Sequence, residues 1–142
     1  MKIKQISVFI GNKKGRLALV TEVLSKANID IRALSLADTA DFGMLRMIVD
    51  DPDRCSAVLK KHDFVVQETD VIAVEVTDTP GGLHAILKIF DENNINIEYV
   101  YAMVEKKKNA AAVIFRVEDQ QKAIGVLAKK DIALVDSDSL KR

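Results

Sequence analysis

Apolar and polar positions along this chain switch between two periods, and the order of the switches occurs twice. Ile6-Ser7-Val8-Phe9-Ile10 alternates until its last step, the two-residue period of a half-buried strand. The polar segment Gly11-Asn12-Lys13-Lys14-Gly15 follows. Leu17, Val20, Leu24 and Ala27 then recur at helical spacing. Ile29 and Ile31 open a second strand that runs through Leu34 and Leu36. Asp38 to Gly43 reads as a hairpin connection in which Gly43 supplies an unusual φ. Met44 to Val49 is nearly all apolar, which predicts a strand covered on both faces. Asp51-Pro52 starts a helix, with Asp51 as N-cap and Pro52 at the first helical position. Cys55, Val58 and Leu59 form its apolar stripe, and Phe64-Val65-Val66 makes a fourth strand.

The series then restarts. Val71 to Val76 is a strand rich in β-branched residues, and Asp78-Thr79-Pro80-Gly81-Gly82 is a turn into a helix. Leu83, Ile86, Leu87 and Phe90 make the stripe of that helix. Ile95 and Ile97 open a strand through Tyr99 and Tyr101, and Lys106-Lys107-Lys108-Asn109 is a polar hairpin tip. Ala111 to Val117 is a strand, Asp119 caps a helix containing Ala123, Ile124 and Leu127, and Ile132 to Val135 closes the unit.

The halves superpose residue on residue. Gly15-x-Leu17 matches Gly81-x-Leu83, and Asn28-Ile29-Asp30-Ile31 matches Asn94-Ile95-Asn96-Ile97 at the same offset. Beyond the hairpins Val49-Asp50-Asp51 matches Val117-Glu118-Asp119, with the offset grown inside a hairpin tip, where insertions are tolerated. Each half is therefore β-α-β-β-α-β, the ferredoxin-like order. The expected fold class is α+β: two such units, residues 1–68 and 69–142, each a four-stranded antiparallel sheet with two helices on one face, packed side by side. Gln67-Glu68-Thr69-Asp70 is the expected linker. Units of about 70 residues bury little surface alone. Packing them together predicts a seam, and seams favour ligands.

Composition narrows the function. The chain has 142 residues, 49% hydrophobic and 30% charged, with 21 basic against 21 acidic residues, so it is globular and formally neutral. Zero net charge and 5% aromatics argue against a nucleic-acid surface. No apolar run is long enough for a membrane span and no secretory leader is readable, which together predict a cytoplasmic protein without membrane contact. One cysteine, Cys55, excludes an internal disulfide and a paired-cysteine zinc site. No cofactor and no metal are expected.

The turn before the second unit's first helix carries the most chemistry. Thr79 reads as its N-cap and Pro80 as a first-turn proline. Gly81 and Gly82 leave their N–H groups open to a ligand, and a helix N-terminus favours a carboxylate. Asp78 is placed to pair with an ammonium group. A zwitterion fits this set better than a phosphate, which Asp78 would repel. On the local residues alone, a plain helix start is the favoured reading of the same segment.

Asp78-x-Pro80-Gly81-x-Leu83 after a strand, with Asn-Ile-x-Ile about a dozen residues on, resembles the ACT domain. Asn12-x-x-Gly15-x-Leu17 with Asn28-Ile29-Asp30-Ile31 resembles a degenerate copy, so residues 1–136 look like a stand-alone tandem ACT protein. The resemblance implies a non-catalytic regulatory module that binds a free amino acid at the interface of its two units, forms a homodimer and acts on a regulated protein. Residue by residue it implies a first site of Asn12, Lys14, Gly15, Arg16, Leu17, Asp30 and Ile31. It implies a second of Asp78, Pro80, Gly81, Gly82, Leu83, Asn96 and Ile97. The first departs from the family pattern, with Lys14 in place of a proline and Asn12 in place of an aspartate.

His84, just past the Gly-Gly-Leu turn, is a further ligand candidate beside a bland reading as a surface histidine. His62 reads as a structural cation at a helix end, Cys55 as a buried inert thiol, and Lys106-Lys107-Lys108 as a solvated tip. Asp41-Phe42-Gly43 lies at a hairpin without any other kinase element; Phe42 reads as an edge plug or a lid. Tyr99 and Tyr101 share one strand face, suited to an interface or to the core. Three other functions compete: a ligand-free dimerisation module, a small acyl-phosphate hydrolase using Arg16 and Asn12, and an RNA-binding module, which lacks its aromatic sheet signature.

Overall fold

The computed structural model describes residues 2–11, 13–38, 42–103 and 110–141, with Asp38 and Phe42 as backbone only. Asn12, Asp41 and the Lys106–Asn109 tip lie outside the described residues, as does the side chain of Phe42. The elements are β1 (Ile3–Gly11), α1 (Arg16–Lys26), β2 (Ile31–Asp38), β3 (Phe42–Val49), α2 (Pro52–Lys61), β4 (Val65–Thr77), α3 (Gly82–Glu92), β5 (Ile97–Ala102), β6 (Ala110–Val117), α4 (Gln120–Lys129), β7 (Leu134–Val135) and a 3-10 turn at Ser137–Leu140. This is the α+β order expected of two ferredoxin-like units. No helix among the described residues is long and apolar enough to cross a membrane.

Contacts divide the chain into two compact units, Lys4–Thr69 with Leu140–Arg142, and Met1–Ile3 with Asp70–Ser139. In the first, strands run in the order β2-β3-β1-β4, with β3 antiparallel to both β1 and β2. Its core joins Ile6, Val8 and Ile10 of β1, Leu45 and Met47 of β3, Val20 and Leu24 of α1, and Cys55 and Leu59 of α2. In the second, β6 lies between β4 and β5, and β7 pairs with β4, all antiparallel. Ile72, Val74, Phe90, Phe115, Ala123 and Leu127 form its core, where Phe90 and Phe115 meet edge to face at 5.2 Å.

Gln67 to Asp70, expected as a linker, are strand residues inside β4. They contain no glycine or proline, so nothing in them interrupts extended backbone. Residues of β4 up to Thr69 belong to the first unit and those from Asp70 to the second. Gly43 does not supply a positive φ; only Gly15 and Gly81 do so among the described glycines. An added Cβ at Gly43 would stand 3.3 Å from Ile10 Cγ1, so this glycine makes room for a neighbouring side chain.

Both halves use the same helix ends. Asp51 and Asp119 accept from the N–H groups of Arg54 and Lys122, as the sequence indicates. The four α-helices among the described residues each stop at a left-handed Asn or Asp: Asn28, Asp63, Asn94 and Asp131, with φ between 55 and 64. The next residue donates back to the last turn, Ile29 to Leu24, Phe64 to Leu59, Ile95 to Phe90 and Ile132 to Leu127. This is the Schellman arrangement, and its apolar contact ties each helix end to the core.

Candidate functional site

The first unit's turn is built on Gly15. Arg16 N–H donates to Lys13 O at 3.3 Å, Gly15 has φ 87 and ψ −7, and Leu19 N–H donates to Gly15 O at 3.0 Å as the helix begins. That is a type II turn with Lys14 and Gly15 as its central residues, and the second of these requires positive φ. The second unit repeats it: Gly82 N–H donates to Thr79 O at 3.0 Å, with Pro80 next and Gly81 at φ 87 and ψ −6. The N-cap of α3 is therefore Gly81, not Thr79, and Pro80 precedes the helix because the turn takes its fixed φ. Neither glycine brings a side chain to cap its helix, so first-turn amides keep their donor capacity.

Gly82 has another task. A Cβ there would overlap the carbonyl oxygen of Thr77, and its own N–H is used by the turn. Its small size serves the close approach of backbone to backbone. In the first unit Arg16 holds the matching position, and a cavity of about 320 Å³ opens beside it. Gly15, Arg16, Leu17, Lys13, Leu36 and Gly43 line it, with Ile10, Gly11 and Ala18. The Arg16 guanidinium sits 5.0 Å above the Phe64 ring, a cation–π contact that fixes its place at the cavity wall.

Asp30 and Ile31 lie elsewhere. They line a groove of about 520 Å³ with Thr21, Ser25, Asn28 and Asp50, at the far end of α1. Asp30 N–H donates to Asp50 Oδ1 at 3.0 Å, Asp50 N–H returns to Asp30 O at 3.1 Å, and Arg32 Nη1 reaches Asp30 Oδ2 at 3.2 Å. The 11-residue helix separates groove and turn by roughly 16 Å. The expected first site is therefore two places within the unit, Gly15, Arg16 and Leu17 at one end and Asp30 and Ile31 at the other. Lys14 is exposed at the turn beside the cavity. The second unit has the same geometry: Asp78, Pro80, Gly81, Leu83 and His84 are exposed around the turn, while Asn96 and Ile97 follow α3. Glu118 N–H donates to Asn96 O at 3.1 Å, as Asp50 does to Asp30.

Lys13, Leu36 and Gly43 are cavity residues that motif reading passed over. Leu36 and Gly43 come from β2 and β3, remote in sequence from the turn. Leu17 and Leu83, assigned to the apolar stripes, are 36% and 41% exposed, since each stands on its helix's first turn beyond the core. Tyr99 and Tyr101 stack at 6.4 Å on one face of β5. Burial pushes the Cys55 thiol up to about 12, with Asp50 and Asp51 adding to the shift, so the one cysteine is no nucleophile. No cluster of metal-ligating side chains occurs among the described residues.

A family model described as an ACT domain pair matches residues 1–142. The chain is similar to a crystal structure of protein BT0572 from Bacteroides thetaiotaomicron, at 41% identity and TM-score 0.93, covering 100% of this chain and 97% of that one. It shares its fold with the ligand-free regulatory subunit of aspartate kinase from Thermus thermophilus, at 14% identity and TM-score 0.64, covering 89% of this chain and 91% of that one. The regulatory subunit from Thermus flavus gives the same fold at 14% identity and TM-score 0.61, covering 89% and 90%. No curated protein matches the chain.

Proposed function

The chain belongs to the ACT domain-pair family, and from that premise we propose that it is a non-catalytic regulatory protein that senses a free amino acid. The observation that carries this reading is the repeated turn. Two left-handed glycines, Gly15 and Gly81, open helices without a side-chain cap, and one of them borders a cavity. Backbone donors and the partial positive charge of the helix suit a carboxylate. In the second unit the exposed Asp78 beside Pro80 and Gly81 suits an ammonium group. The two aspartate kinase regulatory subunits that share this fold support the regulatory role at the level of fold.

A ligand at 100 times its dissociation constant stabilises the folded state by about 2.7 kcal/mol. A thermal-unfolding panel of the twenty amino acids against the full chain tests the proposal. At least one is expected to raise the melting temperature, and Asp78→Asn to weaken the response. No stabilisation by any of them at millimolar concentration would leave a ligand-free dimerisation module instead.

Homodimerisation belongs to the same reading. Among the described strands β2 pairs only with β3, and it exposes Leu34 at 42% and Leu36 at 49%. Unpaired edges of this kind attract another strand. Sedimentation of the ligand-free and ligand-bound protein measures it.

A further inference from the structure

We propose that the cavity beside Gly15 selects an amino acid with a short aliphatic side chain: leucine, isoleucine or valine. This rests on the reading that amino acids are the ligands, and it names which. Ile10, Leu17, Ala18, Leu36 and Gly43 give the cavity an apolar wall, and among the described residues the charged ones lining it are Lys13 and Arg16, both cationic. A carboxylate sits best beside these two, which turns the ligand's side chain toward the apolar wall. The cavity, about 320 Å³, is at the small end of ligand sites.

Other side chains fit worse for separate reasons. A lysine or arginine ligand adds a side-chain cation, beyond the α-ammonium every amino acid carries, beside Lys13 and Arg16. An amide or hydroxyl would lie against Ile10 and Leu36, which offer it no side-chain hydrogen bond, and that costs free energy. An aspartate ligand would press a second carboxylate onto that wall. Gly43 holds the wall in place: an added Cβ would meet Ile10 Cγ1 at 3.3 Å and Leu36 Cδ1 at 3.5 Å. Arg16 cannot swing in to fill the space without leaving the Phe64 ring.

Isothermal titration of the full chain with leucine, isoleucine, valine, asparagine, aspartate, lysine and phenylalanine tests the inference. The three aliphatic amino acids are expected to bind at least about tenfold tighter than the others. Ala18→Phe, at an exposed position on α1, fills the cavity and is expected to abolish that binding. Leu36→Gln makes the wall polar and is expected to weaken it if the bulkier variant does not fold. Tighter binding of a polar, charged or aromatic amino acid overturns the inference and leaves amino-acid sensing standing. So does aliphatic binding that survives whichever of these variants folds. Binding of none of them, together with a silent twenty-residue thermal panel, overturns both.

Discussion

A Cβ on Gly82 would overlap the carbonyl oxygen of Thr77, so α3 starts with its backbone pressed onto the end of β4. The matching residue of the first unit is Arg16, which carries a full side chain beside a cavity. One position thus separates two turns of the same backbone geometry. Gly82→Ala is expected to destabilise the protein by about 1–3 kcal/mol, as overpacking against rigid backbone does. Arg16→Ala loses the cation–π contact with Phe64, about 0.5–1 kcal/mol. Urea midpoints of the two variants, measured side by side, check the contrast.

Gly15 and Gly81 have a different requirement. Nothing lies within 4 Å of a Cβ added to either, so space is free; both have φ 87, which an L side chain resists. Gly15→Ala and Gly81→Ala are each expected to cost roughly 1–2 kcal/mol from conformation alone. The corresponding Asn variants are expected to lose less, because asparagine tolerates left-handed backbone. Equilibrium unfolding with an unchanged denaturant slope reads this directly.

The helix ends give a third test. Asn94 holds φ 55 while Ile95 N–H donates to Phe90 O at 2.9 Å. Asn94→Gly keeps the left-handed conformation without penalty and is expected to change stability by less than about 0.5 kcal/mol. Asn94→Val forces a β-branched residue into that region and is expected to cost about 2 kcal/mol, read by chemical denaturation. The same ordering is expected at Asp63 and Asp131.

Most of the fold was legible because the hydrophobic period changed cleanly from two to three or four at each element, and because the pattern occurred twice. Asp51-Pro52 and Asp119 announced their helices through side-chain chemistry that acts within four residues. The two units divide between Thr69 and Asp70, inside the expected linker, but its polar residues are strand because polarity marks exposure rather than the end of a strand. Thr79 was misread because a cap residue and a turn residue look alike until the left-handed glycine is located at Gly81. The Asn-Ile pairs carried more than the match between halves: Asn or Asp followed by Ile or Phe marks all four helix ends. The turn side of the candidate site was readable from Gly15 and Arg16. Its apolar wall was not, since Leu36 and Gly43 reach the cavity only through sheet pairing.

Gln120, buried at the start of α4, donates through Nε2 to the carbonyl of Asp70, which also accepts from Arg116 Nη1 at 2.8 Å. Its Oε1 has no partner among the described residues. Gln120→Glu removes the donor and places negative charge near that carbonyl, and is expected to destabilise by about 1–3 kcal/mol at neutral pH. Gln120→Met keeps the volume, removes the unpartnered oxygen and leaves Arg116 on the carbonyl, so a change below about 1 kcal/mol is expected. A melting-temperature series across both variants, repeated at pH 4, separates the charge from the lost hydrogen bond.

Alkaline pH provides the last test. Cys55 is fully buried on the core face of α2, and desolvation, helped by Asp50 and Asp51, raises its thiol from 9.0 to about 12. Between those values the unfolded chain has lost the thiol proton and the folded chain has kept it. The folded state then binds more protons, so stability falls as pH rises from about 9 toward about 12. Lys4, raised by its hydrogen bond and charge contacts with Asp53 and Glu68, acts in the same direction above its ordinary value of 10.5. Cys55→Ala removes one contribution and leaves the other. Urea midpoints of the variant are expected to be lower at pH 7, from the small cavity, yet to decline less steeply between pH 8.5 and pH 10.5 than those of the parent. Iodoacetamide labelling reports the same burial independently. With one cysteine in the chain, its labelling at pH 8 is expected to track the rate of opening measured by hydrogen exchange, and a fast phase in native buffer would contradict the buried thiol.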